Sequence, residues 1–327
     1  MTVLVGEFKE FNLVLAIQTG STGHENRSWV RSFIRYMQND EARSGMLFVL
    51  PSLVFFFVFI FYPVGYSFYL GFHEWNPLEP TPTFIGLDNF QELLTTPDFV
   101  RTLFNTFYFV TVAVALMVVG AILSALALNQ GIRAETFFRG LYYSPVVTSL
   151  VATAVIWLWI LDPDLGFMNN LLETLGLPQP RWAASQTWAM PTVILTFVWR
   201  EIGYFTVIYL AGLQGIPDTL KEAARIDGAG PFQLFFYITV PLLMPTTLFV
   251  LVLGILRATQ NSFAVVWVMT GGGPVGATNV MVVYLFQNAF EFFRMGYASA
   301  VSLFIFVLIF GLSLVQFRLI GARTEYL

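Results

Sequence analysis

Six stretches of this chain are long, apolar and nearly free of charge, and that pattern limits the fold more than any motif does. A helix of about 20 apolar residues crosses a bilayer. Residues 46–72, 102–132, 140–161 and 295–317 hold no charged side chain. Residues 190–213 are interrupted only by Arg200-Glu201, and residues 240–269 only by Arg257. In lipid every backbone polar group must be bonded within the chain, so spans of this length form helices. The expectation is an all-α membrane protein with six transmembrane helices. Residues 280–290 are also uncharged but too short to span, and they predict an interfacial or re-entrant helix.

Composition agrees with a lipid-facing surface. The 327 residues are 57% hydrophobic and 11% charged, with mean hydropathy +0.71 and 35 phenylalanines. A soluble domain could not carry that balance. The formal charge of -4 is too small to point to a nucleic-acid partner. With no cysteine there is no disulfide or thiolate metal site, and His24 and His73 are too far apart in sequence to predict a metal centre.

Lys and Arg concentrate on the cytoplasmic side of membrane proteins. Placing the N-terminus inside puts Lys9, Arg27, Arg31, Arg35, Arg43, Arg133, Arg139, Lys221, Arg225, Arg318 and Arg323 in the cytoplasm. Only Arg101, Arg181 and Arg294 then lie outside, so both termini are expected to be cytoplasmic. Residues 1–44 form a cytoplasmic N-terminal segment. Within it Trp29, Phe33, Ile34 and Met37 share one helical face and Arg27, Arg31 and Arg35 the other, as in a helix lying on lipid. The membrane domain covers 45–320, and 321–327 is a cytoplasmic tail.

The cytoplasmic loop at 213–240 contains EAARIDGAGPFQLFFYITVPLLMP, a charged cluster followed by glycines and two prolines. Pro217-Asp218 starts a short helix, Leu220, Ala223 and Ala224 share a face, and Gly228 suits the positive φ that ends it. Alanines allow close approach by another backbone, while Lys221, Glu222 and Arg225 offer charge pairing at the rim. Such a knob suits a groove on a cytosolic partner. Pro241 and Pro245 interrupt the return into the membrane.

The spelling of this loop resembles the EAA loop of permease subunits in binding-protein-dependent ABC importers, at Glu222, Ala223, Ala224, Asp227, Gly228, Ala229, Ile238 and Pro241. FIGLDNFQELL, FVRTLFNTFYF, SPVVTSLVATAVIWLWIL with GFMNNLLETLGL after it, and VMTGGGP resemble the sugar-importer branch. The last of these is similar to the maltose and glycerol-3-phosphate type, and to the first of its two paired permeases. The resemblance covers roughly residues 45 to 320 and implies the type I importer permease fold. It implies a second homologous permease, two cytosolic ATPase subunits and an extracytoplasmic solute-binding protein as partners, with the EAA helix coupling to the ATPase. The chain has no G-x-x-x-x-G-K-[ST] loop, so ATP and Mg²⁺ belong on the partners and no cofactor is expected here. An ion-coupled secondary transporter of a small polar solute is the alternative, but it needs no docking loop.

The charges inside the spans form the second candidate site. An ionised side chain midway along a span costs at least about 2.5–3.5 kcal/mol, so it should face a wet path or a partner. Glu201 can pair with Arg257 across two helices. Arg200 and Glu201 are consecutive, point about 100° apart and are not expected to pair. Thr259, Gln260, Asn261 and Ser262 extend a polar stripe, and Trp199, Tyr204 and Gln260 have the chemistry that sugars bind. In the resembled maltose permease, Tyr204 falls at a substrate-contacting tyrosine, and Thr259 and Ser262 fall at asparagines. Arg200 and Glu201 depart from that pattern. Disaccharides, oligosaccharides, polyol glycosides and glycerol phosphates all fit, and the net positive charge leaves an anionic ligand open.

Reporter fusions test the orientation. Those after Gly131 and within 213–232 should report cytoplasm, and those near Thr96, Gln179 and Gly276 the outside. An outside signal from 213–232 would remove the basis for a docking loop.

Overall fold

The computed structural model describes residues 40–130 and 135–324, so the expected amphipathic segment around Trp29–Met37 and residues 325–327 lie outside the described residues. The chain divides into two units, Met1–Gly65 and Tyr66–Leu327. The described part of the first unit is helical and leads into α1 (Leu47–Leu70), whose apolar side chains are exposed along the first unit's share of it. Phe48, Phe55 and Phe59 on one side and Phe57 and Phe61 on the other are all exposed, as on a helix made for lipid. A π-helical turn at Phe57–Phe61 lies within it.

In the second unit a two-residue ladder pairs β1 (His73–Glu74) with β2 (Thr83–Phe84), antiparallel. Next come α2 (Asp88–Thr95) and α3 (Pro97–Leu128). After the loop come α4 (Glu135–Val147), α5 (Leu150–Ile160), α6 (Phe167–Thr174) and α7 (Ala189–Gln214). The short α8 (Asp218–Ile226), α9 (Pro231–Leu242) and α10 (Met244–Thr270) follow, and then α11 (Met281–Phe286) and α12 (Met295–Thr324).

Five helices are long and apolar enough to cross a membrane: α1, α3, α7, α10 and α12 up to Gln316. The sixth expected crossing differs from a straight span. Residues 140–161 form parts of two helices, α4 and α5, bent by 97°. Pro145 withdraws a backbone donor near the end of α4, and Ser149 is extended with φ -60° and ψ 133°. Thr148 Oγ1 covers part of the break by donating to the Pro145 carbonyl at 2.6 Å. The expected short helix at 280–290 is present as α11 followed by a π-turn at Gln287–Glu291.

Helix α7 is the centre of the bundle. Phe197, Phe205 and Tyr209 are fully buried on it, against Ala113, Met117, Ala121 and Ala125 of α3 and Ala258 and Val265 of α10. The buried residues of α3 recur every three or four positions, so one stripe with many small side chains lets α7 come close. A second core joins Leu93 of α2, Phe99 of α3 and Met281 of α11 to Tyr297, Val301 and Ile305 of α12.

The two ends of the bundle differ. At one, the start of α3 holds the turn at 271–279: Arg101 Nη1 donates to the Val275 carbonyl at 3.0 Å, and Asn105 Nδ2 to those of Gly276 and Asn279 at 2.9 and 3.0 Å. Arg294 binds both carboxylate oxygens of Glu92 there, which raises the arginine further. At the other end lie the close of α3, the close of α7, and α8 and α9.

Gly203 lets α4 approach α7, because a Cβ there would run into the carbonyl of Tyr142. Gly203→Ala should therefore destabilise the protein by about 1–3 kcal/mol, the usual cost of overpacking. Thermal unfolding in detergent checks this; an unchanged Tm would show that the two backbones can part freely.

Candidate functional site

Helix α8 is short and stands clear of the core, since none of its residues is buried. Its start follows the sequence reading: Pro217 precedes the first turn and Asp218 is the acid within it. Lys221 Nζ lies 2.9 Å from Asp218 Oδ1, and that contact holds the exposed carboxyl below its ordinary range. The end is a Schellman turn. Gly228 has φ +86°, its N–H donates to the Arg225 carbonyl at 3.1 Å, and the Ala229 N–H donates to that of Ala224 at 2.9 Å.

Glu222, Ala223, Asp227 and Gly228 are exposed, while Ala224 and Ala229 are half-buried. Ile226 is 86% exposed. An open groove of about 1270 Å³ runs beside the helix, between Lys221, Glu222 and Arg225 on one wall and Asn129, Gln130, Phe232 and Phe236 around it.

The second site lies midway along α7 and α10. The Glu201 carboxylate is 0% exposed and is shared by two guanidinium groups. Arg257 Nη1 of α10 donates to Oε2 at 2.6 Å. Arg200 Nη1 donates to Oε1, so the neighbours that were expected to stay apart do pair. The 100° separation holds for the directions in which their side chains leave the helix. Arginine's long arm is drawn round by a second anchor: Arg200 Nη2 donates to the carbonyls of Val146 and Thr148 at 3.0 and 3.3 Å.

Those carbonyls lie at the 97° break, where the last carbonyls of α4 lose their helical donors. Arg200 thus caps the broken span and ties it to Glu201, and the Gly203 contact with α4 lies one turn further along the same face. Nothing in the sequence marked Val146 and Thr148 as partners, although Pro145 in a long apolar run was a signal that the helix could stop there.

Arg257 also stands over the ring of Tyr204, with its guanidinium carbon 4.0 Å from the centroid, a contact worth about 0.5–2 kcal/mol. The structure therefore gathers Arg200, Glu201, Tyr204 and Arg257. It does not gather the rest of the expected stripe. Thr259 and Ser262 are buried and donate to the carbonyls of Ile255 and Thr259 on their own helix at 2.9 and 2.7 Å. Gln260 is exposed on α10 and Asn261 half-buried. Trp199 is 44% exposed and packs edge-on against Trp157, with ring centroids 5.6 Å apart.

Membrane-crossing helices around ionised groups, with a bare polar helix at one end, define a membrane transport subunit. The chain belongs to the family of binding-protein-dependent transport system inner membrane components, which matches residues 93–324. It is 36% identical over 293 residues to the probable ABC transporter permease protein YurN of Bacillus subtilis (strain 168), covering 88% of this chain and 100% of that one. It is 31% identical over 282 residues to the sn-glycerol-3-phosphate transport system permease protein UgpA of Yersinia pestis bv. Antiqua (strain Antiqua), covering 86% and 95%. Its fold matches a chain in the crystal structure of a bacterial ABC transporter involved in the import of the acidic polysaccharide alginate. That match has a TM-score of 0.76 at 24% identity and covers 89% of this chain and 99% of the other. The helices are thus arranged as in a type I ABC importer permease.

Removing Arg200 should uncap the break and leave Glu201 with one partner. Breaking a buried pair costs about 3–5 kcal/mol, so Arg200→Leu should sharply lower the amount of folded protein in membranes. Arg200→Lys should lose less, since it keeps the charge without the fork. Quantitative blotting of membranes checks both. Equal, wild-type levels would show that the break stands without its cap.

Proposed function

We propose that this chain is a translocation subunit of an ATP-driven importer for a sugar or sugar-like solute. It pairs with a second, homologous permease, and two cytosolic ATPase subunits bind ATP and Mg²⁺ and dock at α8. An extracytoplasmic binding protein delivers the solute at the opposite end of the bundle, beside the turn at 271–279 and the Glu92–Arg294 pair. Both termini, α8 and α9 face the cytoplasm, and the Arg200, Glu201, Tyr204 and Arg257 cluster lies midway between the two sides.

The observation that carries this reading is the form of α8. A nine-residue helix without one buried side chain, closed by a glycine at φ +86° and flanked by an open groove, has little to do for its own subunit. Glu222, Ala223 and Ala224 form its docking surface, and Asp227, Gly228 and Ala229 shape its end. Relatives support the rest: one matched protein is by name a permease of a sn-glycerol-3-phosphate transport system. A second solved neighbour, with a TM-score of 0.73 and 24% identity, is an alginate transporter in complex with a pentasaccharide-bound periplasmic protein.

Gly228 separates shape from charge. A Cβ there meets nothing within 4 Å, so a substitution acts only through the backbone. Valine is strongly disfavoured at positive φ. Gly228→Val should leave insertion intact and abolish both uptake and binding-protein-stimulated ATP hydrolysis in the reconstituted complex. Glu222→Ala should weaken assembly only slightly, because an exposed ion pair contributes about 0–1 kcal/mol. Full stimulation and uptake by Gly228→Val would mean that α8 is not the coupling element.

A further inference from the structure

Two guanidinium groups share one carboxylate in the middle of the bundle, and arginine stays protonated. Among the described residues, one positive charge is left uncompensated there. The two arginines are not equivalent. Arg200, at 15% side-chain exposure, is engaged by Glu201 and by the carbonyls of Val146 and Thr148. Arg257, at 28%, makes one hydrogen bond among the described residues, to Glu201, and stands over the Tyr204 ring. Its Nε and Nη2 edge has no acceptor among the described residues. One turn further along α10, the exposed amide of Gln260 adds a donor and an acceptor.

We infer that Arg257 is a binding group for an anionic substrate, a carboxylate or a phosphate carried on a sugar or polyol. This rests on the transport function proposed above and narrows its substrate class. The free edge of a guanidinium held over an aromatic ring presents two parallel N–H donors, which match a carboxylate or phosphate. Glu201 and Tyr204 fix that orientation and leave the excess charge in place. A neutral sugar would leave the charge unanswered, whereas an anion answers it.

The test uses the whole importer, this chain with its companion subunits and binding protein, in proteoliposomes. The probes are sn-glycerol 3-phosphate, a uronic acid trisaccharide and neutral maltotriose. ATP-dependent uptake of at least one anionic probe is expected, and the two anions tell phosphate from carboxylate. Arg257→Gln should slow that uptake at least tenfold, read per assembled complex in the proteoliposomes. Arg257→Lys should restore part of it, and it serves alone if the Gln variant fails to assemble. In that case anionic uptake slowed several-fold in a fully assembled Lys variant supports the site, and wild-type uptake overturns it. Anionic uptake unchanged by Arg257→Gln, or uptake of maltotriose alone, overturns the anion site and leaves the transport function standing. ATP-dependent uptake of none of the three overturns both.

Discussion

The arrangement of this subunit depends on one buried carboxylate. Glu201 binds an arginine from its own helix and one from α10, and the first of these reaches on to the carbonyls where the third span breaks. Without a cation there, the broken helix would expose unpaired carbonyls to apolar surroundings, which membranes tolerate only where protein or water answers them. The cluster therefore fixes three elements at once: α4 with its bend, α7, and α10. A hydrophobic replacement could fill the volume but could not answer the carbonyls.

Packing around the cluster follows from small residues. Ala113, Ala121 and Ala125 on α3 and Gly203 on α7 let backbones approach where larger side chains would hold them apart. In lipid there is little hydrophobic force between helices, so close contact and buried polar bonds do that work. The same balance explains why Thr259 and Ser262 turn inward and bond their own helix: a hydroxyl there is satisfied locally and packs like a small apolar group.

Much of this was legible in the sequence, for a physical reason. Charge-free runs are rare outside membranes, so five spans could be placed to within a few residues, and the family resemblance pointed to the fold. The α8 helix was legible too, because Pro217, Asp218 and Gly228 act through local backbone chemistry. The bend at Thr148-Ser149 was not, because Pro145 permits a break while a distant arginine decides whether it persists. The Arg200–Glu201 contact was hidden for the same reason: helical geometry says where a side chain starts, and the carbonyls of another helix decide where it ends. Of the substrate-path residues only Arg200, Glu201, Tyr204 and Arg257 converge, since four consecutive positions such as 259–262 point around a helix and cannot share one face.

The path from α8 to α10 has a mechanical consequence. Within a few residues it passes a π-turn at Phe235–Thr239, the imino nitrogens of Pro241 and Pro245, and a break at Leu243. Each interruption removes or shifts the hydrogen bonds that make a helix stiff in torsion. Such a joint is softer than an unbroken helix in bending as well as in twist. A movement imposed on α8 would therefore reach α10 through a compliant joint, which leaves Arg257 anchored by Glu201 rather than driven rigidly by α8.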